Sequence, residues 1–390
     1  MSRKTVAFVL EAMYIAGAEK ALIEVLNAFD YKNYDVTLWL RDDSGAMQSF
    51  LDPRVKIKYW GCSNTRLLFI NQIKTGKISH ITRGIFYRAL SRVFISEYDL
   101  NALYSTKCLP PCSDFVYDCV VAYQILSPAV VATALYRLNG KKKVLWVHGR
   151  NVRPSKLNRF FDHQYDKFDL IPCVSESTRQ EFGRDFPKSM KKTATIYNLF
   201  NEKEIVKKAD QPINCELKPI SLVTVGRLVS VKGQSMIPQI TQLLQDAGHD
   251  VHWYLVGDGP LRETIKEEME KCGVSDRVHL LGTQINPYPY IKNCDIYVQT
   301  SFSEGYCTTT TEAKILGKPV VTTDAPGMRE QFVNGKNGII VDSMSPESIY
   351  EGINCLLTTP GLKETFIENL SLETFDNTNE LQKLYRFIED

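Results

Sequence analysis

Two glutamates, Glu304 and Glu312, lie eight positions apart around a turn that could bind an anionic ligand. The apolar run at 295–299 predicts a strand before the turn, and a helix is predicted to start near Thr308 and to end at Gly317. Backbone N–H groups at a helix start are free to bind an anion. One carboxylate precedes the helix and the other lies inside it, so the two could hold one ligand along its length. The alternative is an ordinary βαβ unit with two solvated glutamates.

Glycines beside basic residues mark two further elements. Residues 222–233, LVTVGRLVSVKG, predict a strand followed by a loop that carries Arg227 and Lys232. Residues 253–260, WYLVGDGP, predict a buried strand that ends in a glycine-rich turn. In this order, VGRLxxxKG, LVGDGP and the glutamate pair followed by GxPVV resemble the family 4 glycosyltransferases, a large retaining group with a two-domain GT-B fold. Shorter matches are AGAE at 16–19, VHG at 147–149 and IYN at 196–198. The resemblance therefore covers nearly the whole chain.

The resemblance implies an α/β fold of the GT-B type, with two Rossmann-like, doubly wound domains that face each other across a cleft. Strands that alternate with helices along the chain indicate the same class. The acceptor-binding domain is predicted at 1–200, a linker at 201–219 and the nucleotide-sugar-binding domain at 220–370. A C-terminal helix at 371–390 is expected to cross back to the first domain. Its predicted apolar face carries Leu381, Leu384, Tyr385 and Ile388.

Apolar runs place the elements of both domains. Strands of the first domain are predicted at 5–10, 35–40, 55–60, 115–122, 144–147 and 170–174. Strands of the second domain are predicted at 221–226, 251–256, 278–281, 295–299, 319–322 and 338–341. Helices are predicted at 17–29 and at 176–182, the latter capped by Ser175.

By resemblance, the donor is a nucleotide-sugar, expected to be a UDP-sugar, that binds mainly to the second domain. Arg227 and Lys232 would neutralise the leaving diphosphate, because fixed cations stabilise charge on a departing phosphate. The alternative is that both are ordinary surface charges. The chain contains no Asp-x-Asp, the pair that holds a divalent cation in the other common sugar-transferase fold. We therefore expect no metal and no cofactor.

The resemblance also implies the remaining donor contacts. Glu312 would bind the ribose hydroxyls, and Glu304 would accept hydrogen bonds from hydroxyls of the donor sugar. The nucleobase would lie near Gly282 and Thr283, held mostly by the main chain. Backbone N–H groups would meet the sugar and the diphosphate at Gly305, Tyr306, Cys307 and Thr308.

Two residues of the first domain complete the site that the resemblance implies. Gly17 would approach the phosphate at a point where a side chain would block contact, although it could equally be a simple turn residue. His148 would lie near the anomeric centre as a catalytic residue, although a lone histidine after a strand is often structural. Front-face transfer with retention is favoured, and a covalent sugar intermediate is the alternative.

Charge is distributed unevenly along a chain of 390 residues. Residues 1–200 carry a net charge of +11, and the remainder carries −9. No acid occurs between Pro53 and Ser96, where nine lysines and arginines do. Such a basic half suggests a polyanionic partner, either nucleic acid or an anionic membrane surface.

The stretch 66–93 favours the membrane. It alternates basic and apolar residues at helical spacing, as does a helix that lies in a membrane interface, although a core-facing helix with a basic edge fits too. Nucleic acid is not expected, because aromatic residues are sparse there. We expect a protein at the inner face of a bacterial membrane that acts on a lipid-linked or polymeric glycan for surface polysaccharide. The apolar run after MSRK is too short for a signal peptide, which favours a peripheral cytoplasmic location.

Other functions are compatible with these motifs. A phosphorylase or a nucleotide-sugar epimerase could use the same two-domain fold and the same charged residues. A protein of a different class, a non-catalytic scaffold that binds glycans or polyanions, could also keep the fold. Release of free nucleotide from a panel of donor sugars distinguishes a transferase from these alternatives.

Overall fold

The computed structural model describes residues 2–61, 98–107, 109–149 and 155–390. The chain divides into two units, one formed by Met1–Leu199 with Thr378–Asp390 and the other by Phe200–Asn377. The basic stretch at 66–93, predicted to be a surface helix, lies outside the described residues. Of the helices in the described ranges, none has the length and apolar character needed to cross a bilayer.

A parallel sheet forms the centre of the first unit. Its strands are β1 (Lys4–Leu10), β2 (Tyr34–Leu40), β3 (Lys56–Tyr59), β4 (Val116–Ala122) and β5 (Asn139–Leu145). They lie side by side in the order β3-β2-β1-β4-β5. A smaller parallel sheet pairs β6 (Ile171–Cys173) with β7 (Thr193–Thr195). Residues 6–10 of the central strand are fully buried, which is why that strand is a continuous apolar run.

The helices of the first unit connect these strands. They are α1 (Gly17–Asn27), α2 (Tyr98–Lys107), α3 (Pro128–Ala132), α4 (Ser155–Tyr165) and α5 (Glu176–Asp185). The predicted cap of α5 is confirmed, since the Ser175 side chain accepts a hydrogen bond from the Thr178 N–H.

One predicted strand of this unit was placed wrongly. Strand β5 begins at Asn139 and ends at Leu145, whereas the apolar run had indicated 144–147. The additional residues include three lysines, which disguise the strand in the sequence. The Lys143 ammonium donates to the carbonyls of Ala134 and Leu138, both at 2.6 Å, so this polar side chain is accommodated in the sheet.

The second unit has a six-stranded parallel sheet. Its strands are β8 (Ser221–Val225), β9 (His252–Val256), β10 (Val278–Gly282), β11 (Ile296–Gln299), β12 (Val320–Thr323) and β13 (Ile339–Val341). Its helices are α6 (Glu202–Ala209), α7 (Ile237–Asp246), α8 (Arg262–Lys271), α9 (Tyr288–Asn293), α10 (Thr308–Ile315), α11 (Met328–Gln331), α12 (Pro346–Thr358) and α13 (Leu362–Ser371). The strand order β10-β9-β8-β11-β12-β13 changes direction between β8 and β11. Ligands of doubly wound sheets bind beyond the carboxyl ends of the strands at such a reversal.

The predicted linker at 201–219 is wrong. Residues 202–209 form helix α6, and its Ile205 and Ala209 are buried in the same apolar cluster as Tyr288 and Ile291. The segment therefore belongs to the second unit. Its mixed charges hid one buried face, because the charged side chains lie on the opposite face of the helix.

The chain ends in helix α14 (Leu381–Glu389), which packs in the first unit. Its predicted apolar face is confirmed, since the four residues named for it are the buried ones. The Tyr385 ring stacks on Tyr34 with centroids 4.8 Å apart, and its hydroxyl accepts a hydrogen bond from the Asp30 N–H. The helix is shorter than the predicted 371–390, and residues up to Asn377 remain with the second unit.

Candidate active site

The loops after β8 and β11 lie together because these strands are neighbours at the reversal of the second sheet. The Thr300 hydroxyl donates to the Lys232 carbonyl at 2.8 Å. The Phe302 N–H donates to the Val231 carbonyl at 2.9 Å. These two bonds join segments that are far apart in sequence and bring the side chain of Lys232 to Glu304.

Lys232 and Glu304 form an ion pair. The ammonium lies 2.6 Å from Oε1 and 2.8 Å from Oε2 of the carboxylate, and the glutamate side chain is only 8% exposed. Burial alone would lower the pKa of Lys232, but the attraction of Glu304 outweighs it and the pKa is raised. Lys232 is therefore a fixed cation at neutral pH.

Arg227 lies on the same loop, and its side chain is exposed. It forms no ion pair with any residue that the structure describes. Its positive charge acts to lower the pKa of Lys232. The loop thus presents one paired and one solvent-facing cation at the carboxyl end of β8, an arrangement suited to a diphosphate.

Close backbone packing explains the glycines of the neighbouring turn. Gly257 has φ of +147°, and a Cβ there would lie 2.0 Å from the Gly226 carbonyl oxygen. A Cβ on Gly259 would lie 2.4 Å from the carbonyl oxygen of Leu228. The Leu228 N–H in turn donates to the Asp258 carbonyl at 3.0 Å. The LVGDGP turn therefore supports the backbone on either side of Arg227.

The turn from Gly305 to Thr308 leads into α10, as predicted. Cys307 has φ of +50°, and the helix starts at the next residue. The threonine run 308–311 is largely explained by buried hydrogen bonds: Thr310 and Thr311 donate to the Gln331 carboxamide oxygen at 2.9 and 2.8 Å. Gln331 also donates to the Tyr306 carbonyl, so helix α11 holds the turn in place.

Glu312 lies in the second turn of this helix and is buried. The Tyr288 hydroxyl donates to its Oε1 at 3.5 Å. Glu312 and Glu304 are thus held by different elements, the first by α9 and the second by the loop after β8. Their separate environments are consistent with separate roles, which stay predictions.

Gly282 ends β10 and Thr283 follows it, at the same edge of the sheet. Gly282 has φ of +70°, and its carbonyl accepts a hydrogen bond from the Gly257 N–H at 2.8 Å. Thr283 is exposed and borders an open groove of 320 Å³. The other residues that line the groove are Gln211, Pro212, Asn214, Gln284, Ile285, Asn286, Pro289 and Tyr290. This edge therefore offers both main-chain groups and an uncharged surface.

Gly17 and His148 belong to the first unit. Gly17 is the first residue of α1, and His148 follows β5. The His148 ring packs on Tyr123 with centroids 4.4 Å apart. Burial lowers the pKa of His148 to about 3, and a hydrogen bond to the backbone of Tyr123 opposes only part of that shift. Nε2 is inaccessible to solvent and has no hydrogen-bond partner among the described residues.

The structure adds three polar residues that the motifs did not single out. Gln299 and Ser301 contact Glu304, and Gln331 holds the turn that follows it. All three are buried, which is unusual for polar side chains and is itself a signal of a built site. In the sequence they have no spacing that distinguishes them from other polar residues.

Residues 206–371 match the model of the family "glycosyl transferases group 1". The Rhizobium meliloti lipopolysaccharide core biosynthesis glycosyltransferase LpsD is 22% identical over 73% of this chain and 75% of its own. The structure of Anabaena Alr3699/HepE with UDP-glucose superposes over 99% of both chains with a TM-score of 0.71 at 17% identity. The predicted GT-B fold class is thereby confirmed.

A further relative is an N-acetylgalactosaminyltransferase of Campylobacter jejuni whose name gives a diphospho-undecaprenol-linked saccharide as the acceptor. It is 27% identical over 56% of this chain and 59% of its own. The chain spans between 59% and 64% of the length of four curated glycosyltransferases that it matches. The alignments do not select a donor or an acceptor.

Proposed function

We propose that this protein is a glycosyltransferase that moves a hexose or N-acetylhexosamine from a UDP-sugar to a lipid-linked or polymeric glycan in bacterial surface polysaccharide synthesis. We further propose that it is a family 4 enzyme that retains the anomeric configuration. The observation that carries the proposal is the pairing of Lys232 with Glu304 beside Arg227 at the reversal of the sheet. This arrangement combines fixed cations for a leaving diphosphate with a carboxylate for sugar hydroxyls.

A UDP-sugar as the donor is supported by the chemistry of the two cations. Two cations on one loop match the charge of a diphosphate, and Lys232 remains protonated because Glu304 raises its pKa. The similar HepE structure contains UDP-glucose, as its name states. In this proposal the nucleobase lies at Gly282 and Thr283, and Glu312 binds the ribose.

Transfer is proposed to occur at the front face of the sugar. The bond between the anomeric carbon and the phosphate oxygen breaks, and the acceptor hydroxyl oxygen bonds to that carbon from the same side. The hydroxyl proton passes to the leaving phosphate oxygen. Arg227 and Lys232 stabilise the charge that develops on the phosphate, so this scheme needs neither a metal nor a cofactor.

A lipid-linked acceptor is supported by the names of two relatives. One acts on a diphospho-undecaprenol-linked saccharide and another in lipopolysaccharide core biosynthesis. The basic stretch 66–93 would dock the enzyme at the anionic inner face of the membrane. Sedimentation with anionic and neutral liposomes tests docking. Binding that is unchanged after Lys74, Lys77, Arg83 and Arg88 are neutralised together would contradict this part of the proposal.

Activity is tested by measuring UDP release from a panel of UDP-sugars with lipid-linked and soluble glycan acceptors. Arg227→Ala and Lys232→Ala are each expected to lower kcat about 10²- to 10³-fold, the usual loss for a group that stabilises transition-state charge. Lys266→Ala, which removes an exposed lysine from helix α8, is the matched control and should retain activity. Near wild-type turnover in both site variants, or loss of activity with a chelator, would contradict the mechanism.

A further inference from the structure

The two oxygens of the Glu304 carboxylate have different surroundings. Oε1 accepts hydrogen bonds from the Ser301 hydroxyl at 2.5 Å and from the Gln299 carboxamide at 3.3 Å, and it also lies 2.6 Å from the Lys232 ammonium. Oε2 contacts the same ammonium at 2.8 Å. Within the described residues this is its only hydrogen bond. One oxygen is therefore saturated by protein groups, and the other retains capacity to accept.

Gln299 is the centre of the network that saturates Oε1. Its Nε2 donates to the Ser301 hydroxyl at 2.7 Å as well as to Glu304. Its Oε1 accepts from the Tyr297 hydroxyl at 2.9 Å and from Thr309 at 3.3 Å. Every hydrogen-bonding position of this carboxamide is thus used. The network joins strand β11, the loop that carries Glu304 and the first turn of α10.

The burial of Gln299 and Ser301 makes their hold on the Glu304 carboxylate rigid. Gln299 and Ser301 are both fully buried, so water cannot replace a lost bond without entering the interior. A glutamate held by Lys232 alone could rotate about its last torsion angle, because one ammonium can bind either oxygen. The bonds from Ser301 and Gln299 remove that freedom and fix Oε1 as the oxygen that faces these two residues.

We infer that Ser301 and Gln299 are positioning residues that hold Glu304 so that Oε2, and not Oε1, accepts a hydroxyl hydrogen bond from the donor sugar. The inference rests on the proposed function, since it assigns atoms within that site. Neither residue touches the donor in this arrangement. They act through the orientation of Glu304, and small errors in such an orientation cost rate because catalysis depends on geometry.

The experiment compares Ser301→Ala with Ser303→Ala, a matched removal of a hydroxyl from the same loop. Ser301→Ala is expected to lower kcat about 10- to 100-fold, the equivalent of one hydrogen bond to a charged group, while the Kd of UDP changes by less than about twofold. Ser303→Ala should behave as wild type. In a Glu304→Gln background, Ser301→Ala should cause no further loss, because its effect passes through Glu304.

Binding provides a second measurement that does not require turnover. The ratio of UDP-sugar affinity to UDP affinity, measured by calorimetry, should fall in Ser301→Ala and stay constant in Ser303→Ala. Equal behaviour of the two variants, or additive losses with Glu304→Gln, would overturn the inference while leaving the proposed function intact. A wild-type chain that binds none of the UDP-sugars would overturn both proposals.

Discussion

Replacing Glu304 with glutamine is expected to move nucleotide binding and catalysis in opposite directions. The Lys232 ammonium is bound to both carboxylate oxygens of Glu304, at 2.6 and 2.8 Å. A diphosphate must share that cation with the carboxylate and also approach its negative charge. The neutral amide removes both obstacles, and it keeps an oxygen that can accept the hydrogen bond from Ser301.

The size of the effect follows from the distances. A phosphate on the far side of the ammonium would lie about 6 Å from the carboxylate, where two unit charges interact by about 3 kcal/mol at an effective dielectric constant of about 20. Lys232 is 26% exposed, so solvent screens part of this repulsion. We expect about half of the repulsion to remain after screening. Its removal in Glu304→Gln should therefore make UDP bind about tenfold more tightly. Transfer should fall about 10²- to 10³-fold, because the donor sugar loses a charged acceptor.

Isothermal titration with UDP measures the first effect, and steady-state UDP release measures the second. Glu263→Gln is the matched control, since it removes an equally charged but exposed side chain that pairs with a surface lysine. Its UDP affinity and turnover should equal those of the wild type. Weaker UDP binding in Glu304→Gln would refute the reasoning, because it would mean that the carboxylate assists the diphosphate rather than competing for Lys232.

Three further predictions concern other parts of the chain. Glu312→Gln is expected to weaken UDP binding about tenfold, the loss of a hydrogen bond to a charged group, and unchanged affinity in calorimetry would exclude it from the ribose site. Gly257→Ala is expected to lower the melting temperature far more than Gly273→Ala, because both have positive φ but only Gly257 has a carbonyl oxygen 2.0 Å from the added Cβ. His148, whose pKa is about 3 when folded, titrates near 6.5 when unfolded, so the unfolded chain binds more protons between these values and stability falls as the pH falls below about 6.5. The free energy of unfolding, measured with urea, should therefore fall by about 2 kcal/mol between pH 7.5 and pH 5 in the wild type, and His148→Gln should not show this loss. Identical pH profiles of the two proteins would disprove the low pKa of His148.

The strands of the second unit are predicted from the sequence to within one or two residues. Each is a short apolar run bounded by glycine, proline or charged residues, and that local pattern is sufficient when both faces of a sheet are covered. The same rule failed for β5, where Lys143 binds two carbonyls, and for α6, where the charged residues hide the buried face in the sequence. Local composition cannot show which lysine will find a buried carbonyl.

The order of the motifs can be taken from the sequence alone, and so can the fold class that those motifs predict. Both depend on short stretches of neighbouring residues. The pairing of Lys232 with Glu304, 72 positions away, is visible only in the folded chain, because the neighbour of β8 is set by the packing of the whole sheet. The roles of Gln299 and Ser301 also emerged only there, since a buried hydrogen bond is defined by the direction of two side chains that no spacing in the sequence records.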